Sequence, residues 1–196
     1  GEGRALSAAN YAEAIAANGA ARYADALDAA RRELPHVEER AYAAFALSEL
    51  VEAAVRSGTP AVAAEGVDRL AAITRPVGGD WALGTLAMAS AQIADGHRAD
   101  APHAEAVERF ERGRMPLLEG RARLLYGESL RRQGRRVDAR VQLRAAYQLL
   151  RGCEATGFAG RAAQELAATG ETVRPRGHDT ADVLTVQELN VALGGT

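Results

Sequence analysis

Apolar and polar positions along the chain fall into helical stretches that halt at a glycine preceded by a polar residue: Asn18-Gly19, Ser57-Gly58, Asp95-Gly96 and Gln133-Gly134. The four glycines stand 39, 38 and 38 residues apart. Glycine adopts the left-handed conformation that closes a helix without steric cost, so evenly spaced stops predict one supersecondary unit used four times. Eight residues before each glycine stands a large side chain expected to plug the core, Tyr11, Leu50, Met88 and Tyr126. The next position is mostly small (Ala12, Val51, Ala89, Gly127), and five residues after each glycine comes an alanine, Ala24, Ala63, Ala101 and Ala139, where two helices are expected to approach.

A large-small pair on a first helix, a glycine turn and an alanine on a second helix resembles the tetratricopeptide pattern, stretched beyond that motif's usual period of about 34 residues. First helices are predicted near 5–17, 37–56, 80–94 and 116–132, second helices near 22–34, 60–74, 99–112 and 136–151, and a capping helix near 158–169. The expected fold is all-α, a right-handed stack of antiparallel helix pairs of about nine helices forming an α-solenoid over residues 1–170. Local signals agree: Thr59-Pro60 reads as an N-cap followed by a first-turn proline, and Asp80 as the N-cap before Trp81. Breakers at Arg75-Pro76-Val77-Gly78-Gly79 and from Gly152 to Gly157 separate successive pairs. Arg174-Pro175-Arg176-Gly177 opens a polar stretch, so 171–183 reads as a linker.

With 196 residues, 47% of them hydrophobic, the chain can bury a core as one domain or one continuous array. Alanine and leucine dominate and aromatics make up only 5%, which leaves little from which to build a sheet. The single Cys153 excludes an internal disulfide framework. No apolar run approaches the roughly 18 residues of a membrane span, and the N-terminus lacks the regions of a signal peptide. A soluble protein of the reducing cytoplasm, without a cofactor, is therefore expected.

The net charge of −2 conceals an asymmetry, because residues 1–108 carry 9 Arg against 16 acids and residues 109–151 carry 12 Arg against 4 acids. Within the basic segment, Arg131, Arg132, Arg135, Arg136, Arg140 and Arg144 lack interleaved aromatics or a reading helix, so solvated helix surface is preferred over contact with DNA or an acidic partner. Glutamates recur six residues before the glycine at Glu13, Glu52 and Glu128, and Arg56 and Arg132 follow two of them by four residues. These pairs read first as surface helix pairs worth a few tenths of a kcal/mol, roughly. If the first helices line a concave face, the same charges project into a groove for an effector or partner, with Trp81 and Tyr126 as its aromatic members. Both aromatics also fit a plain core role, and Trp81 fits it better than it fits a stacking platform.

His36, His97, His103 and His178 sit near predicted turns or helix starts and never pair at the four-residue spacing of a helical metal site. The chain carries no G-x-S-x-G, HExxH, P-loop or GxGxxG pattern, and Cys153 has no histidine nearby. Nothing in it supports catalysis.

Three segments, Leu50 to Gly58, Trp81-Ala82-Leu83-Gly84, and Arg121 to Glu128 with Leu130-Arg131-Arg132, resemble in content and order the region preceding the helix-turn-helix of large LuxR-family transcription regulators of actinobacterial type. Arg136-Val137-Asp138-Ala139-Arg140 with Leu143, Arg161 to Leu166, and Ala168-Thr169-Gly170-Glu171 resemble that family's final repeat and its run into the linker. Leu184-Thr185-Val186-Gln187-Glu188 with Val191-Ala192 looks like the opening of the LuxR-type helix-turn-helix, so 184–196 reads as its truncated start. The resemblance implies a bacterial regulatory protein whose helical stack senses a small-molecule effector or a protein partner and signals to a neighbouring DNA-binding domain. The sequence departs from the family after Ala192, where Leu193-Gly194-Gly195-Thr196 replaces a longer helix and the recognition helix is missing. DNA would thus be reached only through a helix-turn-helix absent from this chain, and a fragment or a shortened gene is expected. Apolar ends left uncovered by missing neighbours would let the isolated chain form a homodimer.

Two alternatives compete. One is a free-standing adaptor of the tetratricopeptide type that binds a peptide in its groove. The other is an all-helical enzyme using groove carboxylates such as Glu52 and Glu128, which a structure setting them far apart with no enclosed pocket would remove.

Overall fold

The computed structural model describes residues 2–33 and 40–171, with side chains described over 8–32 and 43–171. The described residues form nine α-helices and no strand: α1 (Glu2–Gly19), α2 (Tyr23–Glu33), α3 (Arg40–Arg56), α4 (Pro60–Val77), α5 (Gly79–Ile93), α6 (Asp100–Arg112), α7 (Pro116–Arg132), α8 (Arg136–Gly152) and α9 (Thr156–Ala168), with a 3-10 turn at Gly96–Ala99. His36, His178, the start of the second unit, the linker beyond Glu171 and the segment 184–196 lie outside the described residues. None of the described helices is long and apolar enough to cross a membrane.

Burial sorts these helices into two layers. Helix α8 buries Ala139, Leu143, Ala146 and Leu150, and α6 buries His103, Ala106, Val107 and Phe110. Spacings of three and four make one apolar stripe per helix, so the even-numbered helices face the core on one side and solvent on the other. By contrast, every residue of α3 from Ala46 to Ala54 is buried, and α7 buries most positions between Gly120 and Leu130. A helix covered on all sides lies inside. Accordingly α3 packs on α1 and α5 as well as on α2 and α4, and the odd-numbered helices form an inner layer.

Bare glycines set the spacing within and between pairs. A Cβ on Gly127 would lie 2.5 Å from Leu143 Cγ, one on Gly84 2.8 Å from Phe110, and one on Gly66 2.9 Å from Val51. The array also closes on itself, because α9 packs against α1. At that junction a Cβ on Gly157 would sit 3.1 Å from the backbone of Gly19, and one on Gly19 3.2 Å from the Phe158 ring. An open solenoid keeps its ends apart; here the inner helices meet around a shared centre.

The structure corrects several local expectations. Gly58, Gly96 and Gly134 have positive φ as helix stops, whereas at the first stop Ala21 turns left-handed (φ 57°) and Gly19 remains helical to admit Phe158. The alanine five residues on is buried at Ala63 and Ala139 but exposed at Ala24 and Ala101. The reason is register: α4 and α8 start two residues after their glycine, but α2 and α6 start four after theirs, the Gly96–Ala99 turn filling the extra length before α6. Helix α4 continues through Pro76 to Val77, since a proline in the last turn forfeits only one internal hydrogen bond, and Gly78 (φ 63°) breaks the chain instead. Thr59 is the N-cap residue of α4, yet its hydroxyl donates to Ala54 O (3.1 Å) and caps nothing. Asp80 lies inside the first turn of α5, where its carboxylate receives Arg112 at 2.6 and 3.0 Å.

Packing makes opposite demands on two helical glycines. Gly127→Ala, facing Leu143 Cγ, is expected to lose about 1–3 kcal/mol of stability through overpacking. Gly160→Ala, on the exposed side of α9 with nothing within 4 Å of its Cβ, should gain about 0.5–1 kcal/mol from helix propensity. Urea unfolding followed by circular dichroism measures both, and equal effects at the two sites would contradict the packing described.

Candidate functional site

The closed centre is occupied by charge. Glu49, Glu52 and Arg56 recur at spacings of three and four on α3, which aligns them along one stripe of an otherwise apolar helix. Arg121 and Glu128, seven apart, do the same on α7, and Arg161 stands among alanines on α9. Arg121 grips Glu49 through both terminal nitrogens (2.5 and 2.9 Å) and also reaches Glu52 at 2.9 Å. Arg161 bridges Glu52 (2.6 Å), Glu128 (2.9 Å) and the backbone carbonyl of Asn18 (3.0 Å). Arg56 pairs with Glu128, and the Asn18 amide donates to the Glu49 carboxylate at 2.9 Å. Three guanidiniums thus meet three carboxylates contributed by α3, α7 and α9, with α1 joining through Asn18.

Glu49, Glu52, Arg121 and Glu128 are at most 2% exposed and Arg161 is 6% exposed, so the cluster is shielded from water except at Arg56, which is half-buried. Aromatic faces cover what the carboxylates do not. The Arg121 guanidinium lies 4.6 Å from the Phe158 ring centre, and that of Arg161 is 5.7 Å from both Phe158 and Tyr23. Burial alone would raise the Glu52 carboxyl, but Arg161 and Arg121, helped by Arg56, outweigh it and hold the group down at about 2. For Arg121, burial opposes the charge, yet Glu49 and Glu52 push its pKa above the usual arginine value. Arg56 goes the other way, lowered by burial and by the neighbouring Arg161 despite Glu52.

The expected groove residues therefore divide. Glu52, Arg56 and Glu128 come together in this network, and the local pairs Glu52–Arg56 and Glu128–Arg132 give way to longer-range ones, because buried carboxylates take the guanidiniums that reach them across the centre. Glu13, the third member of that series, is exposed and pairs with Arg32 (2.5 Å). Trp81 belongs elsewhere, in an aromatic row with Phe45 (5.0 Å) and Tyr11 (5.4 Å from Phe45). Tyr126 stacks on His103, ring centres 5.1 Å apart and nearly parallel. Burial and nearby Arg132 push the buried His103 imidazole down to about 4, against Asp100, so it is neutral at pH 7. Arg132 and Arg56 both line a cleft of about 500 Å³ between the C-terminal ends of α3, α5 and α7.

Most of the basic cluster is spent internally. Arg131 pairs with Glu165, Arg135 with Asp100 (2.5 Å) and Asp138 (2.9 Å), and Arg144 with Glu171 (2.5 Å). Arg140 donates to the Thr169 carbonyl, so Glu171, where a linker was expected to begin, is docked on α8. Sequence reasoning passed over Glu49, Arg121 and Arg161; the stripe of charge on an otherwise apolar α3 and a lone arginine in an alanine-rich helix were the available signals. Among the described residues no group of three or more His, Cys, Asp or Glu is placed to hold a metal.

The fold and site define a closed, two-layer array of helix pairs whose inner layer is tied by buried ion pairs. Comparison with protein-family models, with curated proteins and with solved structures returns no match.

Removing one partner from the network leaves its neighbours charged and dry. Arg161→Ala is expected to cost about 3–5 kcal/mol, whereas Arg144→Ala, on the exposed face of α8, should leave stability nearly unchanged. Small-angle scattering of Arg161→Ala should show an enlarged radius of gyration as α9 leaves α1; an unchanged radius contradicts the closure. Glu52 adds a pH signature. Because its folded pKa is depressed from 4.5 to about 2, its contribution of about 3 kcal/mol is complete above about pH 4.5 and is lost as pH falls toward 2. Urea midpoints across that window should fall more steeply for the native protein than for Glu52→Gln.

Proposed function

We propose that this chain is the sensing helical-repeat portion of a cytoplasmic LuxR-family transcription regulator, binding a small effector or a protein partner and performing no catalysis itself. Support comes from the segments that resemble that family and from their order, with 184–196 reading as the start of the helix-turn-helix. The observation that carries it furthest is the clamp on Arg161. This residue sits on the last described helix before the expected DNA-binding segment, and α1, α3 and α7 all hold it. A signal that loosens or tightens the inner layer therefore acts on the element nearest the output domain.

The adaptor reading loses ground because the inner face, where a tetratricopeptide groove would receive a peptide, is filled by the array's own charges. Against an enzyme, Glu52 and Glu128 are close together but lie on the two edges of a single guanidinium. A carboxylate held near 2 is a poor proton acceptor at neutral pH, and both groups are committed to arginines and shielded from substrate.

The genomic reading frame should continue past Thr196 into a complete helix-turn-helix. In that full protein, Arg161→Ala is expected to change operator affinity by about 5–150-fold, the usual span of allosteric coupling, in a fluorescence-anisotropy titration. A frame without the motif, or operator affinity indifferent to the variant, would sink the reading.

A further inference from the structure

We propose that the cleft between the C-terminal ends of α3, α5 and α7 binds a small hydroxylated organic anion of the sugar-phosphate or sugar-acid class. The inference rests on the effector-sensing reading and names its ligand. At about 500 Å³ the cleft falls within the range of small-molecule sites. Arg132 reaches it without donating a hydrogen bond to any described residue, and Arg56 reaches it from α3 with Glu128 as its ion-pair partner. Their guanidiniums supply the forked donors that suit carboxylate and phosphate.

Polar side chains around these arginines have acceptors to spare. Gln92 uses its amide nitrogen on Met88 O (3.4 Å), and Gln133 uses its own on Gly96 O, Asp100 and Ser129. The Oε1 atom of each is buried without a protein partner, and so is Nδ1 of His103, which is 1% exposed. The two amide oxygens ask for hydroxyl donors, reached by modest rotation of the amides, and a hydroxyl also suits Nδ1 in either tautomer because it both donates and accepts. Val55 and Leu125 offer an apolar wall to a carbon skeleton.

A purely structural role explains less. Arginines in a last helical turn offset the helix dipole, but they do so equally well pointing outward, and that role leaves the three orphaned atoms unaccounted for. Asp95 also borders the cleft, yet its side chain is 89% exposed and held by Arg98 at 3.2 Å, so it stands at the rim. Bare phosphate would satisfy the arginines and not the acceptors; a neutral sugar would do the reverse.

Calorimetric titration of the full chain with glucose 6-phosphate, ribose 5-phosphate and gluconate, alongside glucose and inorganic phosphate, tests this. At least one hydroxylated anion should bind tenfold or more tightly than either control. Arg132→Gln, an exposed position whose loss leaves the fold intact, should weaken that binding at least tenfold, and Gln133→Met should weaken it while sparing phosphate. Silence across the panel, equal binding of glucose, or indifference to Arg132→Gln overturns the proposal. In the protein carrying its helix-turn-helix, an anion that binds without moving operator affinity keeps the site and removes the regulatory reading. An operator response to Arg161→Ala with no anion bound does the opposite.

Discussion

Closure of this array depends on Arg161 and Arg121 finding carboxylates across the centre of the inner layer. Moving an isolated charge out of water is expensive enough that a single misplaced partner would outweigh much of the apolar packing nearby. The cluster avoids that by matching three guanidiniums to three carboxylates, with a bidentate Arg121–Glu49 pair and aromatic rings over the arginine faces. Such a network is selective more than it is stabilising, since apolar residues of the same volume often serve stability as well or better. Its demand is geometric: α3 and α7 pair Arg121 with Glu49 and Arg56 with Glu128, but Arg161 is satisfied only when α9 arrives beside α1, α3 and α7 together.

That demand accounts for the departure from an open solenoid. Pairwise stacking alone places each helix against its neighbours, and small residues such as Gly127 and Gly66 tune how closely they approach. Nothing in nearest-neighbour packing joins the first helix to the last. Gly19 and Gly157 let α1 and α9 touch and Phe158 packs across the junction, but the charged side chain that crosses it is Arg161, whose partners lie on α1, α3 and α7. The contact of α9 with α1 and the buried charge are therefore one feature seen at two scales.

How legible this was in the sequence follows from the range of each interaction. Helix ends and pairing were legible because glycine stops and three-four periodicity are local, and α7 in particular begins at Pro116 and ends at Arg132 as its residues predict. Register within the second helices was less so, because a glycine marks where a helix stops and not how long the following turn will be; Ala24 and Ala101 moved to the surface on that account. The pairing of charges was not legible. Glu52 and Arg56 satisfy every local criterion for a helix-surface pair, and only the three-dimensional closure, joining residues 69 and 109 apart in sequence, gives Glu52 better partners. Trp81 and Tyr126 were read as one class of groove aromatic, but their neighbours on other helices sent one to an aromatic row and left the other against His103.

One residue belongs to both the network and the cleft, and this gives a physical route between a ligand and the closure. Arg56 pairs with Glu128 on one side and lines the cleft on the other, and burial with the nearby charge of Arg161 makes its protonated state less comfortable than that of an ordinary arginine. The anion proposed for the cleft would give Arg56 a second counter-charge and weaken its hold on Glu128. Glu128 in turn is the partner that α7 offers to Arg161. The closed arrangement then gains or loses relative to a looser one according to the difference in ligand affinity between the two, which is the whole content of a population shift. Because Arg161 lies on α9, and Glu171 a few residues later is pinned to α8 by Arg144, the proposed sensing would need only a short path from the clamp to the end of the helical array.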